Sequence, residues 1–106
     1  MSTHKRIAVA SSGAELNSKL SDLAARAPYF LIFTSEGELY DTIKNPFSLG
    51  GGGAGFSVAR ILSEKDVTDF ICTKAGGNLE RAFKDENIKI HFVNLDVSVK
   101  DSLKSI

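Results

Sequence analysis

The chain has 106 residues, 42% of them apolar and 25% charged, the composition of a single soluble domain long enough to bury a core. Thirteen Lys and Arg balance thirteen Asp and Glu, so no global field draws it to nucleic acid or to an anionic membrane. No apolar run approaches the ~18 residues needed to span a bilayer.

Met1 to Arg6 is basic, but only Ile7-Ala8-Val9-Ala10 follow before Ser11. That is too short for a signal-peptide core, and the cytoplasm is the expected address. Ile7 to Ala10 predicts a central strand buried on both faces, ended by Ser11-Ser12-Gly13. Apolar residues at Leu16, Leu20, Leu23, Ala24 and Ala27 have helical spacing. Asn17, Ser18, Ser21 and Asp22 are turn formers, however, and Pro28 biases Ala27 away from the helix. A loop carrying a short helical turn is expected there. Tyr29 to Thr34 is aromatic and β-branched, a second strand. Ser35-Glu36-Gly37 is a hairpin connection, and Glu38 to Lys44 suits an edge strand with one wet face.

Leu49 to Phe56 holds five of the nine glycines. It follows Asn45-Pro46 and feeds a helix whose stripe is Val58, Ile61 and Leu62, ended by Ser63 to Asp66. A loop of bare backbone at a helix start leaves amides available to an anion, and its many glycines carry a high ordering entropy. Val67 to Cys72 is the fourth strand. Thr73 to Asn78 is a second glycine-bearing turn with Asn78 as N-cap, before a helix presenting Leu79, Ala82 and Phe83. Ile88, Ile90 and Phe92 alternate with Lys89 and His91 on a fifth strand. Ser98 and Asp101 form a capping pair, and Val99, Leu103 and Ile106 a last helical stripe.

The order β-β-β-α-β-α-β-α predicts an α/β fold with a five-stranded mixed sheet covered by helices. Right-handed crossovers place the fourth strand beside the first. If the meander makes the third strand parallel to the first, three donor-rich turns open on one edge of the sheet: Ser11 to Gly13, Gly50 to Gly55, and Thr73 to Asn78.

Familiar chemistries fit poorly. Gly50-x-Gly52-x-x-Gly55 matches a dinucleotide fingerprint only literally, because a polar edge strand precedes it, and no Gly-Lys-Ser/Thr follows to make a Walker loop. A single cysteine excludes an internal disulfide and a cysteine-rich metal cage. Cys72 ends a buried strand and reads as an inert thiol; a nucleophilic Cys72 has no base near it in sequence. His4 lies in the N-terminal arm, and His91 reads as a surface residue. The carboxylates are scattered and none lies on the first strand, which disfavours a two-metal nuclease.

Arg6 to Gly13, Arg26-Ala27-Pro28-Tyr29-Phe30, Asn45-Pro46 before Gly-Gly-Ala-Gly, and Gly76-Gly77-Asn78 before Ile88-Lys89-Ile90 occur in an order that resembles the dinitrogenase iron-molybdenum cofactor biosynthesis family, the small NifX-like domains also found at the end of NifB-type proteins. The resemblance covers residues 5 to 93. It implies a ribonuclease H-like fold, binding or carrying of an anionic iron-sulfur or iron-molybdenum cluster precursor without catalysis, and a protein partner in cluster assembly. Before the second strand the family usually carries Arg- or His-Phe-Gly-Arg/His-Ala; this chain has Leu23-Ala24-Ala25-Arg26-Ala27 and keeps only the last Arg-Ala.

The expected site is therefore a glycine-lined cleft. Arg26 and Lys74 supply charge, while Ser11, Ser12, Gly51, Gly52, Gly53, Gly55, Gly77 and Asn78 supply amide or side-chain donors. A small-anion or nucleotide-sensing regulatory module is the alternative for the same residues.

Overall fold

The computed structural model describes residues 5–49 and 54–105. Five strands, β1 (Arg6–Ser11), β2 (Tyr29–Thr34), β3 (Leu39–Lys44), β4 (Asp69–Cys72) and β5 (Lys89–Phe92), form one sheet. Three helices, α1 (Ala54–Glu64), α2 (Gly77–Asp85) and α3 (Val99–Ser102), are followed by a 3-10 turn, Leu103–Ser105. None of the helices described is long and apolar enough to cross a membrane.

The strand order is β3-β2-β1-β4-β5, with β4 beside β1 as expected from the sequence. β1 pairs antiparallel with β2 and parallel with β4, β2 pairs antiparallel with β3, and β4 parallel with β5. Only β2 therefore runs against the rest, and β1, β3, β4 and β5 all end on the same edge. Turn chemistry makes the meander possible. Gly37 takes φ +87°, open to glycine at no steric cost, and its amide and that of Thr34 close the hairpin on Thr34 and Glu38 carbonyls.

The two sheet faces bury different clusters. α1 and α2 cover a core of Ala8, Ala10, Phe30, Ile32, Phe70 and Cys72 from the sheet with Val58, Leu62 and Phe83 from the helices. Phe70 is central, 5.9 Å from Phe30 and edge-on to Phe83 at 4.7 Å, a geometry that aromatic quadrupoles favour. The other face packs Ile7, Val9, Leu31, Phe33 and Ile71 against Leu20 and Val99. β3, the edge strand with the wet face, is pinned to the end of α1 by a 2.9 Å Lys65–Asp41 ion pair.

Three local expectations differ. α1 begins at Ala54, three residues before Ser57, so Gly55 belongs to its first turn. α2 is capped by Gly76 with no side-chain bond; Asn78 lies inside the helix, its Oδ1 accepting from Arg81. The loop after β1 forms no helix. Its residues Lys19 and Leu20 make isolated bridges to Ser98 and Ser11, so tertiary pairing overrides the helical spacing. The C-terminal stripe holds at Val99, which is buried, and Leu103, half-buried, while Ile106 lies outside the described residues.

Candidate functional site

Where β1 ends and β2 begins, a hollow of about 590 Å³ opens on the sheet edge. Its polar lining is Ser12, Lys19, Ser21, Asp22, Arg26 and Ser48. Leu20, Leu23, Pro28, Leu49 and Leu95 make the apolar remainder. These come from four separate segments, and the structure makes plain what holds them. Ser21 donates its amide to the Ala10 carbonyl at 2.9 Å and Ser12 donates to the Lys19 carbonyl at 3.0 Å, so the 19–21 segment doubles back along the end of β1. Lys100 and Val99 donate amides to the Leu16 and Ser18 carbonyls from the opposite side. Thr73, just after β4, reaches the Ser21 carbonyl at 3.5 Å.

Asn45 joins the remaining walls. It is 2% exposed, and burial of an amide side chain is tolerated only when its polar atoms are matched. Its Nδ2 donates to the Ala25 and Ala27 carbonyls at 2.8 and 2.9 Å, and its Oδ1 accepts from the Phe47 amide at 3.0 Å. Arg26, lying between the two clamped carbonyls, donates from Nη1 to the Phe47 carbonyl at 3.4 Å. One asparagine thus fixes both the Arg26 segment and the chain leading toward the glycine loop. In the sequence Asn45 had stood only as a flank of that loop.

The expected site residues divide. Ser12 and Arg26 line the cleft. Ser11 is fully buried, and its hydroxyl is spent on the Gly13 carbonyl at 2.5 Å; it braces the turn. Lys74 lines an adjoining hollow of about 350 Å³ that shares Asp22 and Leu23 with the first. Gly51, Gly52 and Gly53, the expected amide cradle, lie outside the described residues. Gly55 is set against α2, where an added Cβ would stand 3.2 Å from the Leu79 Cα, so helix contact accounts for glycine there. Gly77 and Asn78 open α2 and are not among the lining residues. Lys19, Leu20 and Leu95 were missed, because their segments carry no motif and reach the cleft only through long-range pairing, and Leu23 stood in the sequence only as a departure from the family pattern before β2.

Other reactive groups sit elsewhere. Cys72 is wholly buried, and burial pushes its thiol up to about 12. His91 is not the surface residue expected: its Nε2 is 2.7 Å from Asp69 Oδ2, with its side chain 20% exposed. Parallel pairing sets Asp69 and Ile71 of β4 beside Lys89 and His91 of β5, which brings the two partners onto one face. Among the described residues, no group of three or more His, Cys, Asp and Glu could hold a metal ion.

An open α/β sheet whose strand-end cleft carries cations, hydroxyls and apolar walls is an arrangement suited to holding a small ligand. The chain belongs to the dinitrogenase iron-molybdenum cofactor family, whose model matches residues 5–106. The apo form of the orange protein from Desulfovibrio gigas superposes with a TM-score of 0.89 at 20% identity, over 98% of this chain and 88% of that one. A candidate NifB protein from Thermotoga gives 0.81 at 27% identity, over 95% and 85%. No curated protein matches the sequence. Family and neighbours together indicate a small cofactor-related binding protein, with the α/β fold expected from the resemblance.

Proposed function

We propose that this domain binds and carries an anionic iron-sulfur or iron-molybdenum cluster precursor in the cleft between Ser12, Lys19, Arg26 and Ser48, without transforming it, and passes it to a protein partner. The observation that carries the reading is the convergence of two cations and three serines on one hollow, from segments that hydrogen bonds hold in place. Electrostatic attraction from Lys19 and Arg26 in a concave, partly apolar cleft favours an anion there. Contact with the lining, rather than Cys72 or His91, is what holds the cargo in this reading: Cys72 is buried, and His91 is engaged by Asp69 at 2.7 Å. Lys74, beside the adjoining hollow, adds charge at the same edge.

Anaerobic titration with iron-sulfur or iron-molybdenum cluster precursors tests this. Visible absorption is expected to change stoichiometrically and to travel with the protein on gel filtration. Lys19→Ala combined with Arg26→Ala is expected to weaken binding about tenfold or more, the equivalent of about 1.4 kcal/mol. Absence of binding at micromolar protein removes the cluster reading. A thermal shift with phosphate-bearing metabolites and none with clusters supports the sensing module instead.

A further inference from the structure

The leucines of the cleft are left unused by a purely electrostatic account. Leu23, Leu49 and Leu95 are 47%, 101% and 46% exposed, yet all three line the same hollow, with Leu20 and Pro28 continuing the wall. They come from unconnected segments, so their meeting is a property of the fold. Exposed apolar side chains gathered at a concave site mark something that covers them. The charged lining is meagre by comparison: Lys19 and Arg26 against Asp22 leave one net positive charge.

That balance decides which anions fit. A compact, multiply charged oxyanion such as sulfate or phosphate must give up its water against leucine walls, and a single net charge returns too little. An anion whose charge is spread over a large, poorly hydrated surface has little water to lose. It also removes leucine surface from water, at about 25 cal/mol per Å². We infer that the cleft selects its occupant by low charge density, admitting large, weakly hydrated anions and rejecting small hydrated ones, with Leu23, Leu49 and Leu95 as the specificity-determining residues. This deepens the proposed function and rests on the same cleft. A metal–sulfide anion and an organic anion with an apolar body share the required chemistry.

The test is an NMR titration of the full chain at constant ionic strength, following the amides of Ser12, Lys19, Leu23, Arg26, Ser48 and Leu95. Hexafluorophosphate and 8-anilinonaphthalene-1-sulfonate are compared with sulfate and phosphate. The weakly hydrated pair is expected to shift these amides with an apparent affinity at least about tenfold higher, or about 1.4 kcal/mol. Leu23→Ser with Leu95→Ser, both at exposed positions, is expected to cut that preference to about threefold or less, or about 0.7 kcal/mol. Lys19→Ala is expected to weaken all four anions alike. Sulfate or phosphate binding as tightly as hexafluorophosphate overturns the inference, as does a preference that survives the double leucine variant, or shifts that bypass the cleft amides. The two sources separate in the same assay. Cluster precursors that fail while the organic sulfonate binds remove the cargo reading and leave the selectivity standing; equal binding of sulfate removes the selectivity and leaves the cargo reading.

Discussion

Asp69, 4% exposed at the start of β4, is a carboxylate whose charged form burial disfavours. Desolvation pushes its pKa up. Hydrogen bonds from Thr68 Oγ1 at 2.6 Å and from His91, with the nearby charge of Lys5, outweigh that and hold it below the ordinary carboxylate range. A depressed carboxylate pKa contributes stability that is present above the unfolded value, about pH 4, and lost as pH falls through the folded one. Asp69→Asn is therefore expected to lower the unfolding free energy by about 1–3 kcal/mol at pH 7. In urea melts followed by circular dichroism, the gap should close as pH drops below about 4. The pair escaped the sequence because 22 residues separate its members and only the β4–β5 register brings them together. Asn45 escaped for the same kind of reason: an Asn-Pro reads as a turn, and nothing local tells that its amide will answer two carbonyls some twenty residues back.

At the scale of elements, strands were more legible than helix ends. Short apolar runs, β-branched and aromatic residues, turn signals and alternation together located all five strands to within two residues, since those signals are set by which faces are buried. The start of α1 was not legible, because Ala54-Gly55 sit in a glycine run that reads as loop. What makes them helical is tertiary: Gly55 lets α1 approach α2, its Cα facing Leu79. Gly55→Ala is accordingly expected to destabilise the fold by about 1 kcal/mol, although alanine gains about 1 kcal/mol of intrinsic helix preference. Chemical denaturation compared with an exposed control such as Arg60→Ala separates the two effects; net stabilisation would mean that α2 yields easily. The segment between β1 and β2 is the opposite case. Its helical spacing was genuine, but bridges from Lys19 and Leu20 to Ser98 and Ser11 claim the backbone instead.

Across the whole molecule, the meeting of strand ends on one edge was readable from the element order, whereas the lining of the cleft was not. Strand direction follows from connectivity; which loop residues fill the gap depends on side-chain and backbone pairings between distant segments. The same long-range assembly protects the interior. Cys72 lies under α1 and α2 at 0% exposure, with its thiol held up near 12, so neither access nor ionisation favours reaction at neutral pH. Labelling by a thiol-specific disulfide reagent is expected to be negligible in the native protein and complete in denaturant. Its rate should follow the global unfolding free energy as denaturant rises. Fast labelling without denaturant would show that α2 detaches on its own.

The bonds from Val99 and Lys100 to the Ser18 and Leu16 carbonyls have a consequence for biosynthesis. One wall of the cleft leans on residues translated some eighty codons later. A chain still on the ribosome can complete β1, β2 and β3 while that wall has nothing behind it, and domains settle as units only once their parts are available. The wall is thereby braced only once the Val99–Lys100 segment has emerged, and a chain halted before it is expected to leave the cleft unsupported on that side.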